Sequence, residues 1–180
     1  MSTPTLGQGC LLVASPELLD PNFARTVVFV ISHDGEGSFG LVLNRPLDVT
    51  LDDVLESPGE GAARVPVLRG GPVQPEVLQF LSRDGSVGRV LLPGVAVGGD
   101  LDELLGHARE GGRVRAFAGY AGWGGGQLER ETAEGSWIIA PARPEHVFDV
   151  PAAQLWVQVL RELGGRYAWL ALDGGDPGSN

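Results

Sequence analysis

The sequence contains no lysine: all 13 basic residues are arginine, scattered from Arg25 to Arg166. Without lysine a GxxxxGK[ST] phosphate loop cannot exist, which removes the P-loop nucleotide hydrolases. The scatter also argues against a built anion site, because bidentate recognition by arginine needs the guanidiniums gathered together. Cys10 is the only cysteine, so neither an intrachain disulfide nor a cysteine zinc cluster can form. It lies in an apolar run, where a thiol is a buried structural group rather than a nucleophile. The three histidines, His33, His107 and His146, are widely spaced and offer no H-x-x-x-H pair. A G-x-S-x-G nucleophile elbow is missing as well. These absences leave no expected catalytic residue, metal or cofactor.

Long apolar runs are also missing. Runs such as Val27–Ile31 are far short of the roughly 20 residues that a spanning helix needs. No positive charge precedes Arg25, and Cys10–Ala14 is too short for a signal peptide. A soluble, cytoplasmic protein with no membrane partner is expected. Net charge is −10 and the isoelectric point is about 4.6. Phosphate contacts supply most nucleic-acid affinity, so an acidic chain without a basic stripe speaks against direct binding to nucleic acid.

What is abundant is glycine, at 28 of 180 residues, with 13 prolines. Strong apolar runs between them point to tight turns joining short strands rather than to disorder. Strands are expected at Cys10–Ala14, Thr26–Ser32, Phe39–Asn44, Val65–Leu68, Val77–Leu81, Val87–Leu92, Arg113–Phe117, Trp137–Ala140 and Tyr167–Leu172. Thr26–Ser32 and Phe39–Asn44 form a hairpin around Asp34–Ser38, and a turn is expected at Asp84-Gly85. Thr50 with Asp53 caps a short helix over Leu51–Glu56. Asp100 with Glu103 opens a second over Leu101–Arg109. Gln127–Ala133 is a third, and Pro151–Leu163 carries the clearest apolar stripe. Trp137, Trp156 and Trp169 read as core. Elements mixed in this irregular order imply an α+β fold with a mixed or antiparallel sheet. One domain is expected over 9–172, with flexible termini at 1–8 and 173–180.

One segment is denser in special residues than packing alone requires. Gly119–Glu131, GYAGWGGGQLERE, holds a Tyr, a Trp and five glycines ahead of an acidic helix start. Amides at a glycine-rich helix start can bind an anion. The spacing lacks a dinucleotide fingerprint, and Glu129 and Glu131 would repel phosphate. The favoured reading is a tight turn with Trp123 packed over it and acids complementing the helix dipole. Among polar residues beside rigid strands, His33, Asp34, Asn44, Arg45, Trp123, Gln127 and Glu129 are the surface candidates. Asp34 is equally a turn former and Asn44 a strand-end cap. Arg45 is held extended by Pro46. Gly70-Gly71-Pro72 reads as a turn limited by its backbone.

Together, LLVASPELLDPNFARTVVFVISHD (Leu11–Asp34), GLVLNRP (Gly40–Pro46), GGPV (Gly70–Val73), GYAGWGGGQLERE, Trp137 and Ala140-Pro141-Ala142 resemble the YqgE/AlgH family of bacterial proteins. The resemblance runs from about Cys10 to Leu163. It implies a branched, mostly antiparallel sheet curled into a pseudo-barrel with packed helices, in a cytosolic bacterial protein. It carries over no catalytic residue, and some members bear a transcriptional-regulator label.

Three functions follow in order. The first is a non-enzymatic binding or protein-interaction module, regulatory in one form, with a protein partner or small ligand. The second is an enzyme of unrecognised type with a polar cleft drawn from His33, Asp34, Arg45 and Glu129. The third is a transcriptional regulator, which the charge of −10 opposes where it would bind DNA directly.

Overall fold

The run of five apolar residues at Val27–Ile31 has no polar face, so it must be covered on both sides. In the computed structural model, which describes residues 4–84 and 87–173, it is the buried centre of a folded sheet. The strands are β1 (Cys10–Ala14), β2 (Val27–Asp34), β3 (Gly37–Val42), β4 (Pro46–Thr50) and β5 (Pro66–Arg69). They continue as β6 (Val73–Arg83), β7 (Arg89–Leu92), β8 (Val95–Val97), β9 (Val114–Gly124) and β10 (Trp137–Pro141). The helices are α1 (Leu51–Val54), α2 (Leu101–Arg109), α3 (Gln127–Ala133), α4 (Pro144–Phe148), α5 (Ala152–Leu163) and α6 (Arg166–Asp173). None is long and apolar enough to cross a membrane.

The main path runs β10-β1-β2-β3-β9-β6-β8-β7, with every pair antiparallel. The fold is α+β, and the sheet branches at β9. Its end pairs with β3 (Gly37 opposite Gly124), while its beginning pairs in parallel with β5 (Val67 opposite Ala116). Strand β4 then adds to β5. Gly70 joins the two arms at the fork: its N–H donates to Ala118 O at 2.8 Å, and its carbonyl accepts from Val42 N–H at 2.8 Å. A Cβ on Gly70 would lie 2.3 Å from Gly119 O, so GGPV and the start of the glycine segment are the two sides of one backbone crossing.

Alternation along β1 and β2 feeds two cores. Leu11, Val13 and Phe29 face Phe117, Phe148, Leu155 and Trp156. Leu12, Val28 and Val30 face Trp123, Leu128 and Trp137. A third core, Leu104, Leu105 and Ala108 of α2 on Val67, Val114 and Ala116, covers the parallel arm. Asp100 starts α2 by accepting the N–H groups of Asp102 and Glu103, and Asp53 accepts the Thr50 N–H before α1, both as the caps predict. Trp156 is buried and donates its indole N–H to Ala14 O at 2.8 Å, tying α5 to β1. Trp156→Phe therefore leaves that carbonyl unpaired, and a loss of about 1–3 kcal/mol is expected in denaturant melts.

The structure corrects several sequence expectations. Tyr167–Leu172 is not a strand but part of helix α6. Ala171 is buried, and Tyr167 and Leu170 pack on the first core at a spacing of three to four. A short apolar run fits both periods, and here packing on α5 selects the helix. Trp169 consequently points outward at 74% exposure and is not core, while Trp137 and Trp156 are. Strand β6 extends over Val73–Arg83, well beyond Val77–Leu81, because β9 pairs with its added residues. Strand β7 begins at Arg89 rather than Val87. β4, β8 and α4 are additions that their short, weakly patterned sequences do not signal. Gly85 of the expected turn, residues 1–3 and residues 174–180 lie outside the described residues.

Candidate functional site

The β2–β3 hairpin tip, the end of β9 and the start of α3 meet at one end of the central strands. Five of the seven candidates gather there. Asp34 Oδ1 accepts the N–H of Glu36 at 2.8 Å and of Gly37 at 3.2 Å, so it makes the turn. His33 Nδ1 lies 2.6 Å from Ser38 Oγ across the hairpin, and His33 Nε2 lies 3.8 Å from Glu129 Oε1. Gln127 Oε1 accepts the Gly124 N–H at 3.0 Å, so one amide of the glycine run is already occupied. Gly125 presses on the hairpin turn, where a Cβ would stand 2.6 Å from Gly35 O.

Asn44 and Arg45 stand at the opposite end of the hairpin. Asn44 accepts from Val27 N–H at 3.0 Å and donates to Arg25 O at 2.9 Å, clamping the chain where Arg25 has φ +59°. Arg45 donates to Ala24 O at 3.1 Å. Burial, with Arg69 nearby, pushes its pKa down from the usual arginine value. Six residues of extended strand, roughly 20 Å, separate Val27 from His33. His33 and Arg45 therefore belong to different places.

Glu131 is the residue that sequence reasoning passed over. Its Oε1 accepts the indole N–H of Trp123 at 3.2 Å and of Trp137 at 3.1 Å. Its Oε2 accepts from Gln127 Nε2 at 2.8 Å. Phe23 stacks on Trp123 at 6.2 Å between ring centroids and meets Trp137 edge-on at 5.6 Å. Both tryptophans are buried. The carboxylate is thus the acceptor that lets two indoles enter a core. A glutamate one helical turn beyond Gln127, flanked in sequence by Trp123 and Trp137, was the available signal.

Trp137 leads to a cavity of about 830 Å³. β10 supplies Trp137, Ile138 and Ile139; α5 and α6 supply Leu163, Arg166, Tyr167 and Leu170; Pro4, Ser15–Glu17, Thr132 and Gly135 complete it. The Thr132 hydroxyl is buried without a hydrogen-bond partner among the described residues. Arg166 donates to Tyr167 OH at 3.2 Å, which raises its pKa further. Its guanidinium sits 5.0 Å from that ring's centroid. Neither His33 nor Glu129 lines this cavity or a second, more open one of about 370 Å³ beside Arg83, His107 and Arg113.

Two further polar clusters are structural. His146, 2% exposed, accepts the Arg143 N–H through Nδ1 at 3.0 Å and donates through Nε2 to Glu162 at 2.7 Å. With both ring nitrogens occupied it is unavailable as a base. Burial pushes the Glu162 pKa up, but hydrogen bonds from His146 and Gln158 with the nearby Arg143 guanidinium outweigh this and leave it lowered. A lowered folded pKa contributes stability above the ordinary value of 4.5, which is lost as pH falls through and below it. Asp149, held low first by its hydrogen bond from Arg83, acts in the same direction. Urea melts should show stability falling below about pH 4.5, with a shallower fall in Glu162→Gln.

An AlgH-like family model matches residues 11–168. A UPF0301 protein of Chlorobaculum tepidum is 40% identical, covering 97% of this chain and 96% of its own. One from Streptomyces coelicolor is 41% identical over 96% and 94%. The solution structure of the AlgH protein from Pseudomonas aeruginosa aligns with a TM-score of 0.74 at 31% identity, covering 100% and 99%. A Corynebacterium diphtheriae crystal structure aligns at 0.79 with 25% identity, covering 95% and 94%.

Proposed function

The chain belongs to the AlgH-like family, and on that footing we propose that it is a non-enzymatic binding protein whose ligand site is the cavity between β10 and α6. One observation carries this reading. Glu131 of the glycine-rich segment holds Trp137, and Trp137 and the adjacent Thr132 line the cavity. The most specialised stretch of sequence is therefore spent on shaping a cavity wall. The volume falls in the range of small-molecule sites, about 300–1,000 Å³. The lining is mostly apolar with a few polar groups, the pattern of ligand sites in which placed polar groups fix orientation. Cys10 supports the same conclusion, since burial pushes its thiol pKa up and withholds the thiolate. In this reading the protein works in the cytosol, and occupancy of the cavity regulates a protein partner.

A fragment screen by thermal shift, followed by amide and indole NMR titration, tests the proposal. Hits should perturb Trp137, Ile138, Tyr167 and Leu170. A diverse panel that leaves all cavity signals unmoved overturns it.

The row Ser38–His33–Glu129 favours a second reading, an enzyme of unrecognised type. A hydroxyl, an imidazole and a carboxylate stand in the order that activates a nucleophile. Ser38 is 8% exposed and lines neither cavity, which weakens it. Labelling by a fluorophosphonate that disappears in Ser38→Ala would support this reading, and no labelling would remove it.

A further inference from the structure

Among the described residues, the cavity between β10 and α6 has two charged side chains in its lining, and they have opposite sign. Glu17 comes from the loop after β1, and Arg166 opens α6. They do not pair with each other, and Arg166 forms no ion pair with any described carboxylate. Among the described residues its contacts are the Tyr167 hydroxyl and ring, which brace the guanidinium and leave most of its five N–H donors available there. The same lining includes Trp137, Ile138, Ile139, Leu163 and Leu170. Thr132 adds a buried hydroxyl that has no partner among the described residues.

Resting on the binding reading above, we propose that this cavity takes a small zwitterion with an apolar body: a hydrophobic di- or tripeptide with free termini. The α-carboxylate meets Arg166, whose planar fork suits a bidentate carboxylate. The α-ammonium meets Glu17. Apolar side chains lie on the tryptophan and isoleucine wall. A simple anion gains from Arg166 but is repelled by Glu17, and a simple cation meets the reverse. Only a ligand carrying both charges is favoured by both side chains. The volume of about 830 Å³ exceeds what one amino acid fills, which selects a short peptide over a free amino acid.

The test is an NMR titration of the full chain with leucylphenylalanine, its N-acetyl form, its amide, its doubly blocked form and free leucine. The free dipeptide should bind about tenfold more tightly than either singly blocked form, the scale of one charge-assisted hydrogen bond. Free leucine should bind more weakly than the dipeptide. Arg166→Gln should abolish the preference for a free carboxylate, and Glu17→Gln the preference for a free ammonium. Both side chains are exposed, so unchanged melting temperatures will confirm that the variants fold. Equal affinity for the free and doubly blocked dipeptides overturns the zwitterion proposal and leaves the binding reading standing. So does silence from all five when screening fragments still titrate the cavity. Silence from both sets removes the two together. Tighter binding of leucine would replace the peptide by an amino acid.

Discussion

Gly71→Ala is expected to cost about 3 kcal/mol or more, enough to remove much of the folded population at 37 °C. A Cβ there would stand 2.1 Å from the Tyr120 carbonyl carbon, 2.2 Å from its oxygen and 2.5 Å from Ala121 N. All three are backbone atoms of β9, so no side chain can rotate away. β9 cannot retreat either, because β3, β5 and β6 all hydrogen-bond to it. Gly119 faces the same crossing with φ +77° and a would-be Cβ 2.5 Å from Gly71 O, so Gly119→Ala adds left-handed strain to the clash. Gly7→Ala is the control: a Cβ there meets nothing within 4 Å, and its effect should stay within about 0.5 kcal/mol. Denaturant melts of the three variants measure this directly. If Gly71→Ala melts like Gly7→Ala, the fork is not the closely packed crossing described.

Glu131→Ala is expected to lose about 3–4 kcal/mol, because it strands two indole N–H groups in a core at roughly 1–3 kcal/mol each. Glu131→Gln keeps an acceptor oxygen and should lose only about 1 kcal/mol. Tryptophan emission should shift to the red in the alanine variant as Trp123 and Trp137 loosen. Ligand binding separates the two roles of the residue. Where Glu131→Ala is still folded, its cavity should bind fragments more weakly, since Trp137 is no longer held. Unchanged stability and emission would mean that the carboxylate does not organise this corner.

Much of the architecture was legible in the sequence because it rests on local rules. The boundaries of α2 and α3 follow from caps and glycines that act within one turn. The β2–β3 hairpin follows from two apolar runs around Asp34. Membership in the AlgH-like family was legible from GYAGWGGGQLERE and its companions in order. Helix α6 was not, because Arg166–Asp173 fits both a strand and a helix, and only docking on α5 decides between them. The same choice turned Trp169 outward.

The candidate site was legible only in part. His33, Asp34, Trp123, Gln127 and Glu129 share one end of the central strands because a hairpin brings residues near in sequence together and β9 pairs beside it. Asn44 and Arg45 share that motif-rich stretch, yet antiparallel geometry carries them to the other end. Glu131 was visible as an acid, but its role depends on two indoles that approach only after β9 and β10 have taken their places.

By itself the sequence determined the α+β class, the net charge of −10 and the family, since each rests on composition, periodicity or motif order. It also set where glycine is obligatory, though not why. Tertiary structure alone decided that Gly70, Gly71 and Gly119 meet at one crossing, and that Glu17, Thr132, Trp137 and Arg166 line one cavity. Gly70 and Gly71 lie dozens of residues from Gly119, and Glu17 and Arg166 lie dozens of residues from Thr132 and Trp137. Their meeting depends on how a branched sheet closes, which is a property of the packed whole and not of any window of sequence.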